Sequence, residues 1–160
     1  MTDIIYRRAT LEHASELAPL LRQADVAEVL ASHDADGETV LREGVATSEH
    51  AVAMFLGGEI AAIFGLAFRP STRLSALGPR FDCVWFLTGR AVDRYPISFI
   101  KGGRRIFAAF RRISPRLYNW VDVRYVAAVR LVESFGATLG PPVPHGKNGE
   151  LFRLVLIEEG

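Results

Sequence analysis

The stretch Leu117–Ala137, LYNWVDVRYVAAVRLVESFGA, constrains the fold more than any other part of this chain. Its first half is aromatic or β-branched at Tyr118, Trp120, Val121 and Val123, residue types that suit a pleated surface and form poor helix. Its second half spaces Ala128, Val129, Leu131, Val132 and Phe135 by threes and fours, which makes one apolar stripe along a helix. Gly136 then supplies the helix-ending conformation that a residue with a Cβ avoids. A strand running straight into a packed helix calls for a sheet with helices layered on it.

The remaining elements follow from the same signals. Asp3–Arg8 reads as a strand, and Thr10 as the N-cap of a helix over Leu11–Gln23 with Ala14, Leu17, Leu20 and Leu21 inward. Helical pieces at Val26–Ala31 and Glu38–Thr47 flank the turn-rich His33–Gly37. Ala51–Leu56 and Glu59–Phe68 form a hairpin through Gly57–Gly58, since both turn residues can take positive φ. Arg69–Phe81 is a long loop of the kind that is functional or mobile. Asp82–Thr88 is almost continuously apolar, as a central strand covered on both faces must be. Gly89–Pro96 connects it to a helix over Ile97–Ile113 with Ile100, Ile106, Phe107 and Phe110 inward and its arginines outward. Thr138–Gly149 is a Pro/Gly-rich turn region, and Leu151–Ile157 is the last strand. The expected fold class is α/β, a mixed sheet with antiparallel pairing first and parallel pairing later, helices on both faces, and one domain over residues 1–160.

Composition narrows the function classes. The longest apolar run, Ile60–Phe68, is about half of the ~18 residues a membrane helix needs, and no secretory signal is visible. The lone Cys83 sits in an apolar strand and reads as a core residue. His13, His33, His50 and His145 lack metal-ligand spacing. Net charge is only +1, yet Arg90–Arg116 carries eight basic residues against Asp93, leaving the rest of the chain at −6. Such asymmetry asks for an anionic partner: a phosphate-bearing cofactor, nucleic acid or an acidic protein surface.

The element order resembles the GNAT (Gcn5-related N-acetyltransferase) fold over nearly the whole chain. More narrowly, WFLT at Trp85–Thr88, LYNWV at Leu117–Val121 and VRLVESFGA at Val129–Ala137 are similar to the internal virion protein A family of podophages, itself GNAT-like. The GNAT resemblance implies that Asp82–Thr88 and Tyr118–Val123 splay apart and that acetyl-CoA lies in the gap, with Leu87 and Thr88 offering backbone contacts. It also implies a phosphate-cradling loop at a helix start. The nearest glycine pair is Gly102–Gly103, beside Lys101, Arg104 and Arg105, and it could serve if the helix began near Gly103.

Where the resemblance expects a catalytic tyrosine this chain has Val132, which has no proton to give. Tyr125 is two helical turns away, and Asp82 and Glu59 are the acids nearest the middle strands. No catalytic residue is assigned. The narrower resemblance implies a virion or assembly component with a degenerate acyltransferase site, placed in the host cytoplasm or virion among other phage structural proteins. The competing expectation is an acetyl-CoA-dependent N-acetyltransferase acting on an amine. A third is a binding module that meets nucleic acid or an acidic protein through Arg90–Arg116.

Overall fold

Among the described residues, eight strands form one sheet in the order β1-β2-β3-β4-β5-β8-β6, with β7 paired to the same β8. They are β1 (Ile4–Arg8), β2 (His50–Leu56), β3 (Glu59–Ala67), β4 (Asp82–Thr88), β5 (Arg116–Asp122), β6 (Thr138–Leu139), β7 (Val143–Pro144) and β8 (Leu151–Glu158). The helices are α1 (Leu11–Leu17), α2 (Gln23–His33), α3 (Gly37–Thr47), α4 (Ala91–Arg94), α5 (Pro96–Ile113) and α6 (Val126–Ser134). The structure, a computed structural model, describes residues 2–33, 35–69, 80–146 and 148–158. Most of the expected Arg69–Phe81 loop lies outside the described residues.

Local chemistry explains the first elements. Thr10 caps α1 by accepting from the His13 amide (3.2 Å), while His13 Nδ1 accepts from the Thr10 amide (3.1 Å). The expected single helix to Gln23 is cut short: α1 ends at Leu17, a 3₁₀ turn covers Ala18–Leu20, and Leu21 is extended. Pro19 is the cause, because it has no N–H to continue the helical ladder. The Gly57–Gly58 turn takes positive φ at both residues, and Gly136 ends α6 at φ 91°.

All pairings among the described residues are antiparallel except β4 with β5. The expected parallel pairing of the second half is therefore confined to one place. After β5 the helix α6 does cross over to a strand that runs the same way, but that strand is the two-residue β6. β8 then inserts between them, antiparallel to both.

Two apolar layers sandwich the sheet. On one face α5 and α6 cover a cluster of rings from Phe64, Phe86, Phe99, Phe107 and Phe135, with Phe107 and Phe135 centroids 4.6 Å apart. On the other, α1–α3 bury Leu17, Val29 and Leu41 against Ile60, Ile63 and Leu87.

Candidate functional site

β4 and β5 pair at Asp82↔Leu117 and Cys83↔Tyr118 and then diverge. Asn119 sits where they part: its side-chain amide donates to the Val84 carbonyl (2.5 Å), and its Oδ1 accepts from the Trp120 amide (2.7 Å). The closed end of the fork is knotted by Asp82, which accepts from Ser114 Oγ (2.7 Å) and Arg80 Nε (2.9 Å). Asp82 is thus a structural group, and it lines neither of the two cavities described below.

Backbone alternation decides what the open edge of β4 can offer. The Val84 and Thr88 carbonyls point away from β3, whereas the Gly89 amide donates to Ala61 of β3 (2.7 Å). Leu87 therefore turns its backbone groups toward β3 and cannot present them to the gap. Thr88 does face the gap, but its carbonyl accepts from the Arg22 amide (3.0 Å). The Arg90 amide likewise donates to the Leu20 carbonyl (3.0 Å), and Leu21 and Gly89 form an antiparallel bridge.

Side chains fasten this strap. Arg22 Nε donates to Thr88 Oγ1 (2.9 Å), Arg22 Nη1 donates to Asp93 (3.1 Å), and Thr88 Oγ1 donates to Asp25 (2.5 Å). The Leu20–Arg22 segment, released from α1 by the turn at Pro19, thus lies on the end of the edge where the fold resemblance put acyl-CoA.

Two cavities border the fork. A cavity of about 60 Å³ lies among Asp25, Glu28, Phe86, Phe107, Asn119 and Val132. Val132 is buried and closes this cavity from α6. On the α2–α3 side a larger cavity of about 640 Å³ opens between the fork strands, lined by Phe86 and Leu87 of β4, Asn119 and Trp120 of β5, and Glu28 and His145. Trp120 and His145 stack at 4.1 Å, and burial lowers the His145 pKa. Trp85 is held aside by donating to Ser48 Oγ (2.8 Å), so it does not plug the fork.

Glu28 belongs to both cavities. Burial, reinforced by the carboxylates of Asp25 and Asp122, pushes its pKa up to about 8, although the Asp122 backbone amide favours the ion. Burial also raises Asp25, against the opposing pull of Thr88 and Arg22. Asp122 is fully buried and clasped by Arg124 (2.6 Å). Burial pushes the Cys83 thiol up too, away from the reactive thiolate.

The residues expected to cradle a cofactor are not brought together. α5 begins at Pro96, after the helical turn α4, and not near Gly103. Gly102 and Gly103 are buried in its interior, where they permit close packing: an added Cβ would lie 2.8 Å from Met54 Cε or 2.7 Å from Phe135 Cζ. Lys101, Arg104 and Arg105 are exposed and line neither cavity, and Arg104 Nε donates to the Ser134 carbonyl (3.1 Å). Glu59 pairs with Arg90 (2.8 Å) beside the hairpin, and Tyr125 lies under the Arg124 guanidinium at 5.6 Å. The strap thus occupies the Thr88 end of the β4 edge, and a helical turn stands ahead of α5 where the resemblance expects a phosphate loop. Among the described residues no cluster of metal-binding side chains occurs.

Asp25 and Glu28 escaped the sequence reading. Their signal is present: they stand three apart on α2, on the same face as buried Val29, so that carboxylates share an apolar face.

No protein-family model and no curated protein matches the chain. Solved structures do. The ribosomal L7/L12 α-N-protein acetyltransferase RimL, solved with coenzyme A, superposes with a TM-score of 0.68 at 12% identity, over 98% of this chain and 94% of its own. A GNAT acetyltransferase from Streptococcus agalactiae gives 0.69 at 10% identity, covering 98% and 96%. An N-acetyltransferase from Staphylococcus aureus Mu50 gives 0.65 at 13% identity, covering 96% of each. Identities this low carry the architecture alone, and with the β4–β5 fork they establish that the chain has the GNAT acetyltransferase fold.

Proposed function

We propose that this chain is a GNAT-fold protein of phage type whose acyltransferase site is degenerate, and that it works as a virion or assembly component. The strap of Leu20–Arg22 on β4 carries this reading. Val132 supports it, since a buried valine cannot protonate a leaving group. The likeness of the Trp85–Thr88, Leu117–Val121 and Val129–Ala137 stretches to internal virion protein A supports the phage assignment, with other phage structural proteins as partners and the virion or host cytoplasm as the place.

Calorimetric titration with coenzyme A and with acetyl-CoA tests the degenerate site. The expected result is no binding up to millimolar cofactor, and a dissociation constant in the micromolar range overturns the proposal. Mass spectrometry of particles of the encoding phage tests the assembly role, with the chain expected among the particle proteins.

One observation favours an amine N-acetyltransferase instead. Glu28 borders the larger cavity with a pKa of about 8, which suits a base that takes a proton from an ammonium group near neutral pH. Acetyl transfer to amines by the purified chain, lost in Glu28→Gln, would establish that reading.

A further inference from the structure

α5 carries five basic residues, Lys101, Arg104, Arg105, Arg111 and Arg112, and no acid. Its other side is fixed by Phe99, Gly102, Gly103, Ile106, Phe107 and Phe110, all buried, so the helix cannot roll to bring the cations inward. The two glycines let it sit directly against Met54 and Phe135. Lys101, Arg104, Arg105 and Arg112 are exposed on the outer side, over about 16 Å of helix at 1.5 Å per residue.

The arginine charge is not neutralised at home. Arg104 and Arg111 bond to the carbonyls of Ser134 and Glu158, which leaves the charges in place. Among the described residues, no carboxylate lies within ion-pair distance of Arg104, Arg105, Arg111 or Arg112. Net charge is +1 for the whole chain, yet α5 alone holds +5. A molecule polarised in this way turns its α5 face toward a polyanion.

The face also says which polyanion. Protein interfaces centre on desolvated aromatic or apolar anchors inside a polar rim. Here the residue among the cations is Ala108, which offers no anchor but lets a backbone come close, and the large exposed apolar side chain of this face, Ile97, stands a turn before Lys101 at the end of the stripe and not at its centre. Four of the five cations are arginines, whose forked guanidinium matches phosphate oxygens. The remaining side-chain hydrogen-bonding group on α5, Ser98, is buried, so the face has little with which to read bases.

We infer that the outer face of α5 docks a nucleic-acid backbone by charge, without sequence preference. The inference does not depend on whether the β4–β5 fork binds a cofactor. Fluorescence anisotropy of a labelled 20-base-pair DNA duplex across salt concentrations tests it. With three or four phosphates neutralised, the log–log slope of affinity against salt should be about −3 to −4.

Arg105→Ala with Arg112→Ala should weaken binding about tenfold or more at 50 mM salt and make the slope shallower by about two. Circular dichroism should show the fold unchanged, since both residues are exposed. No binding at 50 mM salt overturns the inference, as does a double variant that binds like the parent. Polyglutamate of equal charge, or vesicles rich in anionic lipid, competing as well as unlabelled duplex would also overturn it.

Discussion

Glu28 holds a proton in the folded chain up to about pH 8, while an unfolded chain releases it near its ordinary value of 4.5. Folding therefore takes up a proton across that window. The stability this group lends is complete below about pH 4.5 and is lost as pH rises toward 8. Asp25, raised by burial, slopes the same way. The thermal midpoint should fall from pH 5 to pH 8, and Glu28→Gln should flatten that fall because an amide does not titrate. A variant with the parent's slope would show that Glu28 ionises normally. Single residues were also where the sequence misled most. Gly102–Gly103 beside three cations reads as a phosphate loop, yet both glycines serve close packing inside a helix. Only the tertiary neighbours Met54 and Phe135 distinguish the two uses.

Among the elements, the strap joins α1, α2 and β4 through groups far apart in sequence. Arg22 links Thr88 and Asp93 with its side chain and the Thr88 carbonyl with its amide. Arg22→Ala keeps the backbone pair and removes the side-chain bonds, so it should cost about 1.5–3 kcal/mol, the scale of hydrogen bonds that involve a charged donor. Hydrogen exchange should quicken at the Arg22 and Arg90 amides and stay slow in β2 and β3. Uniform exchange rates across all these strands would remove the strap as a separable unit. The sequence hid it because Leu20 and Leu21 continue the apolar period of α1, and only Pro19 breaks the helix. By contrast, the Thr10 cap, the Gly57–Gly58 turn and the β4 run were legible, since each rests on neighbours within a few residues.

Over the whole molecule the sheet order was half legible. Strand–helix alternation correctly gave a parallel β4–β5 pair, and the fork between them follows the GNAT resemblance. The insertion of β8 could not be read, because the pairing partner of a strand is chosen by the sheet and not by the strand's own residues. The uneven charge was plain in the sequence. Its address was not, since the cleft and the outer face of α5 draw on the same stretch of chain.

The place of β8 sets a timetable for synthesis. β8, made after every other described strand, lies within the sheet, between β5 and β6, and it also holds β7. Until it arrives, β5 has only its two-pair contact with β4, and β6 and β7 have no strand to join. Nascent chains should stay protease-sensitive across Arg116–Pro144 until Glu158 has cleared the exit tunnel. A chain stopped at Glu150, one residue short of β8, should retain a protected β1–β4 sheet with its helices at most, as limited proteolysis and mass spectrometry of the fragments would show. An equally protected C-terminal half in that truncated chain would mean that β8 closes the sheet without being needed to build it.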